Sequence, residues 1–419
     1  MNDEEYVLLV GADLATRERA IVSTARALRK PIVLLAYPGH PFAQTRRAAF
    51  ALADDVIVGP YLLNPDAALE AVQEFHQRSG RRLHAIVPVN DFVLPACAAI
   101  ARTYGLPFLD EAVILRCRDK LVMKRALADA GLNVARTVAS GEDVDRFVWC
   151  GNHRLIFKPT TFGGSGGVKL VSNRAELDVA IKEARDILAR YCAILHIDPT
   201  RLHLEEYLDA EREVSVEVSC TPSAARAIAV TDKQLSPPPF FAEIGHIVPY
   251  AGDDSDALKR QAERACRALG IDRGVAHVEL RIVSGKPFVV EVGARPAGGK
   301  IVDLVHKALG IDLYALHAHA YANDFDFELT EPRQRGVAAI SFLKAPPGVI
   351  KTIRTPSVPS GVCEIALYKG VGDITAAHAS NFETREGHVE WFWPAGLDRV
   401  SLLDQTNTLA MEIFEVVAD

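Results

Sequence analysis

Apolar runs alternate with helical stretches over the first 110 residues, and this alternation constrains the fold more than any other feature. The runs cover residues 6–10, 31–36, 55–58 and 84–89, and helical patterns cover 16–29 and 93–104. Strands that are apolar on both faces need helices on each side, so the pattern predicts a parallel sheet in an α/β protein. The segment Gly11-Ala12-Asp13 lacks the G-x-G-x-x-G spacing of a dinucleotide site, so the unit is Rossmann-like in layout only.

The rest of the chain predicts three further units. Residues 111–209 begin with a helix over 111–131 and continue as strand, glycine-rich loop, strand, helix and strand. Residues 210–330 contain a half-buried alternating strand from Glu213, a helix over 256–269 and a hairpin of 275–283 with 287–292. Short strands and turns dominate 331–419, which predicts a small β-rich terminal piece. A chain of 419 residues is too long for one core, so we expect the units 1–110, 111–209, 210–330 and 331–419.

Composition excludes several classes of protein. The 47 basic and 54 acidic residues are dispersed and give a net charge of −7, which argues against dedicated nucleic-acid binding. We find no apolar run near the roughly 20 residues of a membrane span. The seven cysteines include no C-x-x-C pair, so reduced thiols are expected rather than zinc or disulfides. The acidic N-terminus is unlike a signal peptide, and we therefore expect a cytoplasmic protein.

A lysine followed by a glycine-rich loop indicates phosphate binding. Lys158 ends an apolar strand and is followed by Gly163, Gly164, Ser165, Gly166 and Gly167. Glycines let successive backbone N–H groups converge on phosphate oxygens without obstruction by a Cβ atom. The spacing is not that of a P-loop, and a glycine-rich turn alone is more often structural. Lys158 shifts the balance toward a nucleotide site.

Two carboxylates lie on the arms of the hairpin. Glu279 and Glu291 are each flanked by apolar residues, so both point into a face of the sheet. Two like charges side by side are costly to bury unless a cation lies between them. Hard oxygen ligands favour Mg²⁺ or Mn²⁺ over zinc. The alternative is an ion pair of either glutamate with Arg281 or Arg295.

Other residues carry weaker signals, and each has an ordinary structural reading as well. Lys120 begins a helical stretch, where a solvated lysine is usual. The following residues suit a nucleotide hinge, a ribose contact and a substrate pocket: Glu205, Glu206, Leu208, Glu213, Glu243 and His246. Arg295, four residues after Glu291, suits an oxyanion or a substrate carboxylate.

In this order, these elements resemble the ATP-grasp superfamily of carboxylate–amine ligases, over about residues 1–330. The segments Phe241-x-Glu243-x-Gly245-His246 and 291–298 are most similar to the L-amino-acid ligases of the bacilysin and dapdiamide synthetase type. The resemblance implies an ATP-grasp fold and binding of ATP phosphates by Lys120, Lys158 and a closing 163–167 loop. It implies adenine binding by Glu205, Glu206 and Leu208, and ribose binding by Glu213. It implies Mg²⁺ binding by Glu279 and Glu291, oxyanion stabilisation by Arg295, and amino-acid recognition by Glu243 and His246.

The implied reaction joins an acid to an L-amino acid through an acyl phosphate, as in dipeptide antibiotic synthesis. The alternatives are an ATP-grasp carboxylase or formyl-transfer enzyme of the biotin or purine type, and a non-catalytic ATP-binding regulator. Many ATP-grasp enzymes carry Asn where this chain has Gly293, which removes one metal contact or leaves it to water. Gly298 and Gly299 leave a bare wall that suggests a roomy acyl-donor pocket. Small-molecule substrates and a homodimer are expected.

Overall fold

A parallel sheet forms the N-terminal unit, as the sequence predicts. The computed structural model describes residues 4–13, 17–37, 46–60, 62, 64–151, 153–195, 198, 201–325, 333–394 and 402–417. The first elements are β1 (Glu5–Val10), α1 (Glu18–Leu28), β2 (Ile32–Ala36), α2 (Arg46–Leu52), β3 (Asp55–Val58), α3 (Pro65–Ser79), β4 (Arg82–Pro88) and α4 (Leu94–Tyr104). The strand order is β3-β2-β1-β4, with every pairing parallel. β1 and β2 are buried along almost their whole length, which explains their continuous apolar runs.

The single helix predicted over 111–131 is wrong, because two helices occupy this segment. They are α5 (Glu111–Arg118) and α6 (Lys120–Asp129). Asp119 between them is extended, and its carboxylate accepts hydrogen bonds from the N–H groups of Leu121 and Val122. This N-cap satisfies donors that a continuous helix would not leave open, and it places Lys120 at the first residue of α6.

An antiparallel sheet of four strands carries the glycine-rich loop. Its elements are β5 (Thr137–Ser140), α7 (Glu142–Asp145), β6 (Leu155–Pro159), β7 (Lys169–Val171), α8 (Arg174–Leu195) and β8 (Leu202–Glu206). The strand order is β5-β8-β6-β7, and α8 packs on one face, where its Leu188 shares a core with Phe157 of β6 and Leu204 of β8. The loop joins β6 to β7, so the end of β6 fixes the position of Lys158 beside it.

A larger sheet of eight strands forms the other half of the site. Its first elements are β9 (Arg212–Cys220), β10 (Ala225–Leu235), β11 (Glu243–Val248), α9 (Ser255–Leu269), β12 (Gly274–Val283), β13 (Lys286–Gly293), α10 (Ile301–Leu309), α11 (Leu313–Tyr321) and β14 (Gly336–Leu343). The antiparallel strand predicted from Glu213 is confirmed as β9, but its predicted half-burial is wrong, because Ser215 and Glu217 are buried as completely as the valines beside them. Helix α9 covers one face of β9, while α11 packs on the same strand from the other core.

The C-terminal residues add strands to this large sheet. They form β15 (Gly348–Ile353), β16 (Val362–Leu367), β17 (Ile374–Thr375), β18 (Gly387–Pro394), α12 (Leu402–Ile413) and β19 (Phe414–Val417). The order β13-β12-β9-β10-β11-β14-β18-β16 carries the sheet past residue 330, while β17, β15 and β19 make a small sheet. All seven cysteines are free thiols, as expected. Among the helices that the structure describes, none is long and apolar enough to cross a membrane.

Candidate active site

A cleft of about 910 Å³, open to solvent, lies between the four-stranded and eight-stranded sheets. Most of the residues singled out in the sequence line it: Lys120, Lys158, Gly163, Gly164, Ser165, Gly166, Glu205, Glu206, Leu208, Glu213, Glu243, Glu279 and Glu291. Gly167, His246, Arg295 and Gly298 lie outside this lining. Residues that are up to 171 positions apart, from Lys120 to Glu291, therefore face one space.

Three lysines converge at one end of the cleft around Glu205. Lys158 forms an ion pair with one carboxylate oxygen of Glu205, and Lys124 Nζ lies 2.7 Å from the other. Lys120 Nζ donates a hydrogen bond of 2.7 Å to the Phe162 carbonyl and lies 3.1 Å from Glu291. Sequence reasoning missed Lys124, although its position one helical turn after Lys120 was a usable signal.

Burial and charge act in opposite directions on these groups. Burial lowers the pKa of Lys158 to about 8, and the pull of Glu205 in the other direction does not offset it. Burial alone would raise the pKa of Glu205, but Lys158 and Lys124 hold it well below its usual value. Burial lowers the pKa of His203, 3.7 Å from Glu205, to about 4, so this histidine is neutral. This end of the cleft is a buried cationic site that suits an anion.

The glycine-rich loop packs too closely for side chains at two of its positions. A Cβ atom at Gly166 would lie 2.2 Å from the Phe162 ring, and one at Gly164, where φ is +64°, would lie 2.8 Å from Phe382. Gly167 does not line the cleft, and a Cβ atom there would lie 3.0 Å from Pro159 and 3.1 Å from Ala184 of α8. Ser165 Oγ donates a 3.5 Å hydrogen bond to the carbonyl of Phe241. The loop thus borders the cleft. It contacts Phe241, which lies between β10 and β11 of the large sheet, and it packs against Phe382 in the C-terminal part of the chain.

Away from the lysine cluster, the cleft is lined by carboxylates, and Lys233 lies among them. Sequence reasoning missed this lysine. Its Nζ atom lies 2.6 Å from Glu279, 2.9 Å from Glu243 and 3.3 Å from Glu213. Burial alone would lower the pKa of Lys233, but the three carboxylates raise it well above its usual value. Lys233 in turn keeps the pKa of Glu279 well below normal against the effect of burial.

Lysines, rather than Arg281 or Arg295, pair with the two hairpin glutamates. Glu279 and Glu291 are direct partners across β12 and β13, and their nearest cations are Lys233 and Lys120. Arg281 instead lies 3.4 Å from Glu213.

Another residue that sequence reasoning missed, His277, lies behind Glu279. His277 Nδ1 lies 2.7 Å from Glu217, while its Nε2 lies 3.3 Å from Glu279.

This histidine is held as a cation. Burial alone would lower the pKa of His277, but the carboxylates of Glu217 and Glu279 raise it to about 9. The alternation of polar residues along β9 and β12 was the signal for this pair, since Glu217 and His277 are direct partners in the register of the two strands.

Glu243 reaches the cleft, whereas His246 lies behind it. One oxygen of Glu243 contacts Lys233, and the other lies 3.2 Å from Arg385 and 3.7 Å from His246 Nε2. His246 is fully buried, and a Cβ atom at Gly299 would lie 2.7 Å from its Nε2. Burial lowers the pKa of His246 to about 4, so it is a neutral neighbour of the carboxylate.

Arg295 is fixed by a carboxylate from the N-terminal unit. Its Nε atom donates a 2.7 Å hydrogen bond to Asp91, which follows β4. A Cβ atom at Gly293 would lie 3.2 Å from the other Asp91 oxygen, so Asp91 fills the space beside this glycine. Gly298 lies next to Arg17, whose Nη2 would be 4.0 Å from a Cβ there.

Among the residues that the structure describes, one group away from the cleft has the donor atoms of a metal site. Donor atoms of Glu364, His388 and Glu390 lie within 4.8 Å of one another. Lys300 lies 3.0 Å from Glu390, and Lys307 contacts its second oxygen. Since two ammonium groups already neutralise Glu390, this cluster is explained as an ion-pair network.

Comparison with known proteins defines the class. Residues 152–303 match the ATP-grasp domain family. The chain therefore contains an ATP-grasp domain, and its fold is the ATP-grasp fold of a mixed α/β protein. The match covers this part of the chain, and the family assignment applies to that domain.

One solved structure and two relatives by sequence show which proteins the chain is similar to. The structure resembles that of an L-amino acid ligase from Bacillus licheniformis with a TM-score of 0.73, at 19% identity and covering 100% of both chains. An uncharacterized protein, y4rH of Sinorhizobium fredii, is 24% identical over 377 residues, covering 86% of this chain and 73% of its own length. Dapdiamide A synthase of Enterobacter agglomerans is 25% identical over 270 residues, covering 61% of this chain and 62% of that protein.

Proposed function

We propose that this protein is an ATP-dependent ligase that joins a carboxylic acid to an L-amino acid through an acyl phosphate, releasing ADP and phosphate. The observation that carries the proposal is the cleft itself, in which a buried lysine cluster and the Glu279–Glu291 pair face each other beneath a glycine-rich loop. Similarity to an L-amino acid ligase and to dapdiamide A synthase supports this chemistry over other ATP-grasp reactions.

The nucleotide would lie between the two sheets. Lys120, Lys124 and Lys158 supply the cations for its phosphates, and the 163–167 loop supplies backbone N–H groups. Glu205 holds two of these lysines in place. The segment that Glu205 begins, with Glu206 and Leu208, would border the adenine, and Glu213 would bind the ribose hydroxyls. All of these residues line the cleft.

The hairpin glutamates fit a divalent cation. Glu279 and Glu291 offer oxygen donors from adjacent strands, and their side chains are 20% and 34% exposed. Each pairs with a lysine through one oxygen, whereas both oxygens of Glu390 are in ion pairs with lysines. These residues would hold Mg²⁺, or Mn²⁺ in its place. When bound, such an ion would neutralise negative charge on the phosphates of the nucleotide.

The chain's own residues then account for both steps. A carboxylate oxygen of the acid attacks the γ-phosphorus of ATP, the bond to the ADP oxygen breaks, and an acyl phosphate forms while Lys120 and Lys158 hold the phosphates. The amine nitrogen of the amino acid attacks the acyl carbon, and phosphate leaves as the nitrogen loses its proton. Arg295 stabilises the oxyanion in this second step. The loop excludes water, which would otherwise hydrolyse the acyl phosphate.

Glu243 is the group that contacts the amino-acid substrate. Its carboxylate faces the cleft beside Lys233, where it can accept a hydrogen bond from a substrate amine. His246 acts through Glu243, because it is buried behind that carboxylate and does not line the cleft. We also expect a homodimer, which the mass in solution would test.

The test is phosphate release from MgATP with amino acids singly and in pairs, with bicarbonate and formate as controls. We expect release only with an acid and an amino acid together, and a product whose mass equals their condensation. Release driven by bicarbonate or formate would instead assign a carboxylase or formyl-transfer enzyme. Binding of ATP without turnover under any condition would assign a regulator. Glu291→Gln should abolish turnover, whereas Glu111→Gln, on a side chain that is 72% exposed, should not.

A further inference from the structure

Arg17 is a buried guanidinium with an unused hydrogen-bonding group. It is the residue before α1 and is 7% exposed. Its Nη1 atom is buried and has no hydrogen-bond partner in the part of the chain that the structure describes. Burial lowers the pKa of Arg17, and the neutral hydroxyl of Tyr314 is one of its neighbours. A buried charged donor without a partner is costly, so this residue requires an explanation.

The charges around Arg17 do not balance. Arg295 is close enough to lower the pKa of Arg17 further, and Asp91 acts in the opposite direction. One oxygen of Asp91 already accepts from Arg295 Nε at 2.7 Å, and the other is buried without a hydrogen-bond partner among the described residues. Arg295 also has Glu291 and Glu279 nearby, whereas Arg17 forms no ion pair with a described carboxylate, which leaves the positive charge of Arg17 unpaired.

Space is available on the side of Arg17 that faces the Gly298 loop. A Cβ atom at Gly298 would meet no described heavy atom nearer than Arg17 Nη2 at 4.0 Å. An orphaned donor, an unpaired charge and an open glycine wall together describe a carboxylate site.

We infer that Arg17 binds a second carboxylate of the acyl donor, so that the acid activated by this enzyme is a di-acid. One carboxylate lies at Arg295 and the hairpin glutamates, where it is phosphorylated, and the other lies between Arg17 and Gly298. This inference rests on the ligase function proposed above. It names the substrate class: a short dicarboxylic acid or an acidic amino acid.

The experiment compares acids with their amides as acyl donors. Succinate, aspartate and glutamate are each tested against succinamate, asparagine and glutamine, with a panel of L-amino acids as acceptors. We expect the di-acids to exceed the amides in kcat/KM by about 10- to 100-fold, as for a hydrogen bond to a charged group. In Arg17→Met this preference should vanish, because the KM for the di-acid rises to that for the amide. In Arg17→Lys part of the preference should remain.

Arg19→Met is the matched control, since Arg19 is on the same helix and pairs with Asp303 and Asp312. It should keep the preference. Calorimetric titration with succinate, succinamate and inorganic phosphate, without ATP, reads binding separately from turnover. Succinate should bind the wild-type protein and not Arg17→Met, with succinamate and phosphate weaker.

Outcomes separate the two proposals. Ligation of mono-acids and di-acids at equal kcat/KM overturns the di-acid inference and leaves the ligase function standing. Phosphate that binds through Arg17 more tightly than succinate also overturns it. Arg17-dependent succinate binding without any ligation overturns the ligase function and the acyl-donor assignment. Should Arg17→Met fail to fold, the acid-to-amide ratio of the wild-type protein and the Arg17→Lys variant decide the question.

Discussion

Arg295 Nε donates a 2.7 Å hydrogen bond to Asp91, although the two residues are 204 positions apart in the chain. This bond ties the end of β13 in the large sheet to the end of β4 in the parallel sheet. Burial alone would lower the pKa of Arg295, but the Asp91 carboxylate outweighs this effect and the pKa lies above its usual value. The guanidinium therefore stays charged. The N-terminal unit therefore contributes directly to the geometry of the cleft.

Replacing Lys233 should destabilise the fold. Lys233→Met leaves Glu213, Glu243 and Glu279 together without their common cation, and the side chain of Lys233 is only 2% exposed. Removing one partner of a buried ion pair typically costs about 3–5 kcal/mol in the free energy of unfolding. Urea denaturation measures this change.

Lys259→Met is the control for this variant. Lys259 is 38% exposed and lies 3.7 Å from an exposed Asp256. Its loss should change the free energy of unfolding by less than about 1 kcal/mol. Equal effects of the two substitutions would show that the three carboxylates do not depend on Lys233.

Nucleotide binding should take up protons at pH values just above 8. The pKa of Lys158 is lowered to about 8 by burial, so above that pH the free enzyme increasingly holds a neutral amine there. A bound phosphate favours the charged form and restores the proton, and ATP affinity should therefore fall as the pH rises further. Titration calorimetry in two buffers of different ionisation enthalpy measures the uptake.

Lys158→Arg isolates this effect, because a guanidinium keeps its charge throughout this pH range. The variant should bind ATP without the proton uptake. Uptake of the same size in the variant would assign the proton to another group.

His277 should make stability decline with rising pH. Its pKa is raised from 6.5 to about 9 in the folded protein, so its contribution is complete below pH 6.5 and is lost as the pH rises through 9. At about 1.4 kcal/mol per unit, the loss is about 3 kcal/mol in the free energy of unfolding. His277→Gln should lack this part of the decline.

Chemical denaturation at several pH values, in the presence of a chelator, gives the difference between wild type and variant. Taking the difference removes the opposite slope that Lys158 contributes above pH 8. His153→Gln, at an exposed histidine, is the control and should follow the wild-type curve. Parallel curves for wild type and His277→Gln would contradict the charged His277–Glu217 pair.

Local patterns explain which elements were predictable. The apolar runs of the first unit, the helix ended by Gly270 and the hairpin around Ser284-Gly285-Lys286 all follow from neighbours in the sequence. The turn by itself sets a register that would put Glu279 opposite Val290. A register shift between Glu279 and Leu280 moves the pairing by one residue and brings Glu279 opposite Glu291. The break at Asp119 was missed because a capping aspartate inside a helical pattern looks like any surface aspartate.

The sequence by itself determined the order of strands and helices, the glycine-rich loop after Lys158 and the hairpin that carries the two carboxylates. Only the tertiary structure decided the exact register of those carboxylates and the partners of most charged groups. Lys233, Asp91 and Arg17 carry no local signal strong enough to predict their partners, because their partners lie on other strands or in another sheet. A buried charge is stabilised by whichever opposite charge the packing brings within a few ångströms, and that distance is set by the fold rather than by the spacing of residues along the chain.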